Sequence, residues 1–174
     1  QNCSLLWCER TLKAVVVDPG GDLDAIRATI AKIGIEVEKI LLTHGHIDHA
    51  GGTAELRRVL GVPVEGPQRE ESFWIEQLPQ QSQMFGFPRA EAFVPDRWLE
   101  DGDIVTFGQV KLEVIHTPGH TPGHLAMNVR SRGEEAIFVG DVLHHPLQVH
   151  YPHWNSPYCE DQPQARVTRR RILE

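Results

Sequence analysis

Three imidazoles and a carboxylate fall within Thr43-His44-Gly45-His46-Ile47-Asp48-His49, directly after the apolar run Ile40-Leu41-Leu42. Left bare at a strand end, such a cluster would hold several desolvated polar groups without partners, which is costly. Metal ions resolve that cost. Imidazole nitrogens suit zinc and related first-row ions, and a carboxylate adds a harder ligand and negative charge. The alternate spacing of His44 and His46 lets both converge on one ion from an extended loop. Asp48 and His49, turned the other way, are placed for a second ion a few ångströms off.

Two later pieces complete the constellation. His120 lies in Thr117-Pro118-Gly119-His120-Thr121-Pro122-Gly123-His124, and Asp141 ends the apolar run Phe138-Val139-Gly140-Asp141. Of the two histidines, His120 is the ligand candidate and His124, at the start of a strand, a structural or orienting group. Asp18, in Asp18-Pro19-Gly20, reads equally as a turn former and as a carboxylate orienting a ligand histidine. His144 is close enough in sequence to Asp141 to reach the same cleft. His150 and His153 read as loop residues. Trp74, Phe85, Tyr151 and Trp154 read either as cleft walls or as ordinary core. Ligands at the ends of separate strands, gathered on one rim of a sheet, are what a catalytic site with an open coordination position needs.

The elements that must position these groups follow from apolar patterning. Cys3–Cys8 and Ala14–Val17 read as strands joined at Glu9-Arg10-Thr11. Asp22 is placed to cap a helix over Leu23–Ile33, with apolar residues at 23, 26, 30 and 33, and Gly34 stops it. Lys39–Leu42 reads as a buried strand, Thr53–Leu60 as a helix ending at Gly61, and Val62-Pro63-Val64 as a short strand. Residues 67 to 99 suggest short helices joined by loops. Ile104–Phe107 and Val110–His116 form a hairpin around Gly108-Gln109. His124–Val129 and Ala136–Val139 are further strands, turned at Ser131-Arg132-Gly133. Residues 144–160 look irregular and Gln162–Leu173 helical. Strands alternating with helices imply an α/β layered fold.

The 174 residues suit a single domain spanning 1–174. A formal charge of −7 argues against nucleic-acid and anionic-membrane partners. Arg166, Arg169, Arg170 and Arg171 read as a solvated helix face. No apolar run approaches the roughly 20 residues needed to span a bilayer. Cys3, Cys8 and Cys159 have no paired spacing and give no disulfide framework, which fits a reducing, cytoplasmic location.

The order HxHxDH, then TPGHTPGH, then GD after a strand resembles the metallo-β-lactamase-fold hydrolases. Within them, residues 1 to about 125 resemble the short bacterial glyoxalase II (hydroxyacylglutathione hydrolase) proteins. The matching text includes Gln1-Asn2-Cys3, Val17-Asp18-Pro19-Gly20-Gly21, the His44–His49 motif, Phe73-Trp74 and Pro95-Asp96-Arg97-Trp98. The resemblance implies an αββα sandwich. It implies that His44, His46 and His120 bind a first metal, that Asp48 and His49 bind a second, and that Asp141 bridges both. Asp48, His49 and Asp141 are then the catalytic set. Two Zn2+ ions are expected, with iron or manganese as substitutes. The chemistry implied is attack of a metal-bound hydroxide on an ester-like carbonyl, with a small acylglutathione-type thioester as substrate.

After Asp141 the text changes. Val142-Leu143-His144-His145-Pro146, Pro152-His153-Trp154 and the Arg-rich helix resemble the lactonase and organophosphate-hydrolase branch. This brings in lactones, aryl esters and phosphotriesters as the alternative substrates. The chain reads as a hybrid of two branches and as a domain incomplete at both ends. No residue matches the family's late-strand histidine, so the second metal position is expected to be the weaker, and a metal-binding but inactive scaffold is a third reading.

Overall fold

The computed structural model describes residues 2–174. Eight strands fall into two four-stranded sheets. In the first, β1 (Ser4–Trp7) pairs antiparallel with β2 (Lys13–Val17), which runs parallel to β3 (Glu36–Leu41) and through it to β4 (Val64–Glu65). The second is an antiparallel meander of β5 (Ile104–Phe107), β6 (Val110–His116), β7 (Leu125–Ser131) and β8 (Glu134–Phe138).

The alternation of side chains along each strand builds two cores. Val15, Val17 and Leu41 meet Val105, Phe107, Leu112, Val114, Leu125 and Met127 between the sheets. Val16, Ile40 and Leu42, one residue out of phase, point to the opposite face. There they are covered by α1 (Leu23–Ile33), α2 (Ile47–Ala50), α3 (Thr53–Leu60), α4 (Ser72–Glu76) and α5 (Leu78–Phe85), through Ile26, Ile47, Leu56, Ile75 and Leu78. After β8, a 3-10 turn at Gly140–Val142 leads to α6 (Leu147–His150). It also supports the C-terminal helix, α7 (Gln162–Leu173). No helix among the described residues is long and apolar enough to cross a membrane.

Three local expectations are corrected. Asp22 makes no side-chain cap to α1, because it sits in the left-handed region at φ 52° and its oxygens do not face the first-turn N–H groups. β3 begins at Glu36 rather than Lys39, drawn out by its parallel register with Lys13 of β2. Arg169 is not on a solvated face: it is fully buried, on the same side of α7 as Ala165 and Thr168.

The rim that carries the chemistry is the end where β2, β3, β6 and β8 finish and β7 begins. The two sheets are joined there by a backbone hydrogen bond, Leu125 N–H donating to Thr43 O at 2.8 Å. A groove of about 700 Å³ opens at the opposite end, beside Trp7, Ile104 and Val110, and among the described residues none of the groups of metal-ligating side chains reaches it.

Candidate metal centre

The ligand nitrogens of His44, His46 and His120 converge. His44 Nε2 lies 3.2 Å from His46 Nδ1, and His46 Nδ1 lies 3.1 Å from His120 Nε2. Two nitrogens on one tetrahedral zinc, each at about 2.0–2.1 Å, sit roughly 3.3 Å apart, so the spacing fits an ion. The tautomers fit as well. Thr43 Oγ1 donates its only proton to Asp18 Oδ2 at 2.6 Å, so it accepts from His44 Nδ1–H at 3.0 Å. The lone pair of His44 is thereby left on Nε2, facing its neighbours. Burial, then the neighbouring imidazoles, holds His44 well below its usual pKa. Burial lowers His46 to about 4 and His120 to about 3. These rings are neutral at physiological pH, the state a metal requires.

Beside this trio, His49 Nε2 is buried without a hydrogen-bond partner, 3.2 Å from Asp141 Oδ1 and 3.6 Å from Asp48 Oδ2. Its other nitrogen, Nδ1, faces Asp18 Oδ2 at 3.0 Å. Burial disfavours charge on His49, but Asp141 and Asp18 outweigh it and raise the ring to about 10. The opposite holds for Asp141: burial would raise its carboxyl, yet His49 holds it well below the usual carboxylate range. The two oxygens of Asp141 face different groups, Oδ1 towards His49 and Oδ2 towards His120 at 3.5 Å. The structure therefore brings all six predicted residues, His44, His46, Asp48, His49, His120 and Asp141, to one place. Asp18 is the orienting carboxylate rather than a mere turn former, since it also accepts from Thr43 N–H at 2.8 Å.

The loops are held by groups that pattern reading does not single out. Glu71 is fully buried. Its Oε2 accepts from Gly45 N–H at 2.9 Å and its Oε1 from Gly123 N–H at 2.8 Å, so one carboxylate clamps both ligand loops. Burial, opposed by these two bonds and by the nearby Thr121 hydroxyl, raises its carboxyl to about 7. Gln81 accepts from Ile47 N–H at 2.9 Å and donates to Trp74 O at 2.8 Å. Gly45 allows Trp74 to approach: a Cβ there would lie 2.6 Å from Trp74 Cβ. Trp74 stands edge-on to His46 at 4.6 Å, whereas Phe85 is exposed and Tyr151 and Trp154 are about half exposed.

On the other side, His124 is an anchor and not a ligand. Its Nδ1–H donates to Thr117 Oγ1 at 2.7 Å and its Nε2 accepts from Asp141 N–H at 3.0 Å. Gly140, at φ 50°, makes that approach feasible, because a Cβ would fall 2.7 Å from His124 Nε2. His144 lies 3.5 Å from Asp141 Oδ2 and, with His49 and Asp141, lines a pocket of about 400 Å³. His150 and His153 join none of the groups of metal-ligating side chains among the described residues.

This arrangement, on two facing sheets, defines a metal-binding hydrolase-type fold, and the chain belongs to the metallo-beta-lactamase superfamily, whose family profile matches residues 1–174. Among its relatives, the hydroxyacylglutathione hydrolase GloC of Haemophilus influenzae is 39% identical over 144 residues, covering 82% of this chain and 66% of that protein. A hydroxyacylglutathione hydrolase of Bdellovibrio bacteriovorus is 36% identical over 142 residues, covering 80% and 47%. The chain thus spans between about half and two thirds of the length of these curated relatives. TTHA1623, crystallised in a di-iron-bound form, superposes with a TM-score of 0.79 at 27% identity, over 99% of this chain and 80% of that one. The B3 metallo-beta-lactamase BLEG-1 gives 0.70 at 33% identity, over 83% and 68%.

Proposed function

We propose that this domain is a metal-dependent thioester hydrolase of the glyoxalase II type, acting on small acylglutathione-like substrates. The observation that carries the reading is the trio of imidazole nitrogens whose lone pairs are turned inward, next to a carboxylate shared between two sides. The relatives named hydroxyacylglutathione hydrolase support the substrate class. His44, His46 and His120 would hold a first ion, Asp48 and His49 would serve a second, and Asp141 would lie within reach of both. When bound, divalent zinc, or iron or manganese in its place, supplies Lewis acidity and makes water a nucleophile near neutral pH.

The chain's own residues do the rest. Asp18 sets the tautomers of His44, through Thr43, and of His49 directly. In the ion-free chain the carboxylates of Asp18 and Asp141 on either side of the ring favour a protonated His49, and Nε2 would have to be free of its proton to serve as a ligand. Glu71 and Gln81 fix the backbone of the ligand loops, and Trp74 backs His46. The proposed chemistry needs no side-chain nucleophile, because water fills that role. Three unpaired cysteines accord with a cytoplasmic location.

A second reading is a lactonase, arylesterase or phosphotriesterase. It rests on His144, which lines the pocket beside Asp141 and belongs to the stretch resembling that branch. Turnover of an acylglutathione thioester, a lactone and a phosphotriester by the metal-loaded protein, with metal content measured on the same sample, tests both. Thioester turnover at least tenfold above the others supports the first reading, and the reverse order supports the second. Two bound ions with no turnover of any substrate defeats both.

A further inference from the structure

A second group of potential ligands shares His120 with the first. One ligand atom each from His120, His144 and Cys159 falls within 4.8 Å of the others. Cys159 is a buried free thiol just ahead of α7. His120 is 3% exposed. Its Nε2 faces His46, while its Nδ1 at the other edge of the ring is buried without a hydrogen-bond partner. Both ring nitrogens of His144 are likewise buried and lack hydrogen-bond partners. The site described above does not use Cys159, and its Asp141 Oδ2, 3.5 Å from His144 Nε2, makes no hydrogen bond to that nitrogen.

We propose that His120, His144 and Cys159 form a separate, thiol-containing position for a thiophilic divalent cation such as Zn2+, Co2+ or Cd2+. The donor set supports this class of ion. One sulfur and two imidazoles suit zinc-like ions and not Mg2+ or Ca2+, which take oxygen. Binding forms an ion–sulfur bond and releases the thiol proton to solvent. Burial opposes ionisation of Cys159, and the adjacent cation Arg169 favours it.

Sharing His120 has a consequence. A neutral imidazole has one nitrogen lone pair, so His120 serves the two positions together only by losing its second proton as well. Ions at the two positions therefore weaken one another, and by reciprocity each reports on the other. An excess of a thiophilic ion then inhibits the hydrolytic centre. This last consequence rests on the proposed assignment of His120 to that centre; the thiol position itself does not.

Cobalt titration followed by absorption spectroscopy tests the proposal. A Co2+–thiolate bond adds a sulfur-to-cobalt charge-transfer band in the near ultraviolet, distinct from the visible bands of cobalt held by imidazoles. The band is expected in the wild-type protein above one equivalent, to vanish in Cys159→Ser, and to persist in His46→Ala, where the imidazole centre is broken. Visible bands surviving in Cys159→Ser show the imidazole centre intact, so the two assignments fail separately. On the wild-type protein alone, Cd2+ should slow alkylation of Cys159, mapped by mass, at least tenfold relative to Mg2+. A wild-type protein with filled visible bands and no charge-transfer band overturns the proposal. So does a band that survives Cys159→Ser, or Cys159 alkylation unaffected by Cd2+.

Discussion

The two flanks of the metal rim are fastened by opposite charges. On the His44–His49 side the loops turn N–H groups inward, and buried carboxylates receive them: Asp18 takes Thr43 N–H, and Glu71 takes Gly45 and Gly123. On the side that follows Asp141 the chain turns carbonyls inward, and one buried guanidinium serves them. Arg169 donates to Val142 O at 3.0 Å, Pro152 O at 2.7 Å and Trp154 O at 2.8 Å. Gln148 adds to this second network, accepting from His144 N–H at 2.7 Å and donating to Trp154 O at 2.9 Å. Irregular backbone near a core must satisfy its polar groups somewhere, and the sign of the anchor follows which groups it presents. The first flank divides its charge between two carboxylates, and the second concentrates its charge in one guanidinium.

That contrast predicts unequal fragility. Arg169→Ala should be the most damaging single change, because it strips Val142 O and Pro152 O of their side-chain donor, leaves Trp154 O with Gln148 alone, and opens a void the size of a long side chain. A loss of about 4 kcal/mol in denaturant unfolding is expected. A loss under 1 kcal/mol would show that this flank does not depend on its cation. Asp18→Asn should leave the fold in place but lower metal affinity 10–100-fold, since two ligand tautomers lose their director. Competition with a chromophoric chelator measures this, and unchanged affinity removes Asp18 from the orienting role.

Glu71 sharpens the comparison through pH. Its folded carboxyl, at about 7, is above the ordinary carboxylate value, so the folded state binds that proton more tightly than the unfolded chain does. Its contribution is therefore most favourable below about pH 4.5 and declines as pH rises to about 7. Relative to Glu71→Gln, the wild-type protein should lose about 2 kcal/mol between pH 5 and 7. Parallel stability curves for the two proteins would contradict it. His49 has the smallest expected effect. Its ion-free pKa of about 10 is raised above the usual histidine value. The stabilisation from its proton is thus complete below about pH 6.5 and fades as pH climbs through 10. Filling the second position should release that proton, so its affinity should tighten up to tenfold per pH unit across the neutral range. Calorimetry in buffers of different ionisation enthalpy would show the released proton as a buffer-dependent heat.

Most of the rim was legible in the amino-acid sequence because the ligands sit at ends of strongly patterned strands. Val15 and Val16 announce alternate faces of β2, and His44–His49 is dense enough to leave few readings. The anchors were less legible. Glu71 lies in Arg69-Glu70-Glu71-Ser72, a stretch with the look of a solvated turn, and its burial is decided by two loops that arrive from far along the chain. Arg169 reads as surface because it sits among Arg166, Arg170 and Arg171, and the apolar Val167 two residues before it does not mark the buried face, being exposed itself. The signal was the helical spacing of Ala165, Thr168 and Arg169, a face of small residues that admits one long cation, with no large apolar group to mark it. Residues 144–160 were expected to be irregular and are nearly so, apart from the one-turn helix Leu147–His150, which side-chain anchors rather than apolar periodicity hold in place.

The hydrogen bond from Leu125 to Thr43 and the meeting of His46 with His120 join the two sheets at the same rim. His46 and His120 are 74 residues apart, and each belongs to the loop of a different sheet. An ion held between them closes a long chain loop, as a disulfide would, but reversibly. Its effect extends to amide protons in both sheets at once, so metal loading should slow hydrogen exchange in β2, β3, β6 and β7 together and raise the unfolding temperature with ion concentration. The centre is then also a rivet, and chelation loosens the sandwich from one end while the shared hydrophobic layer keeps the other closed.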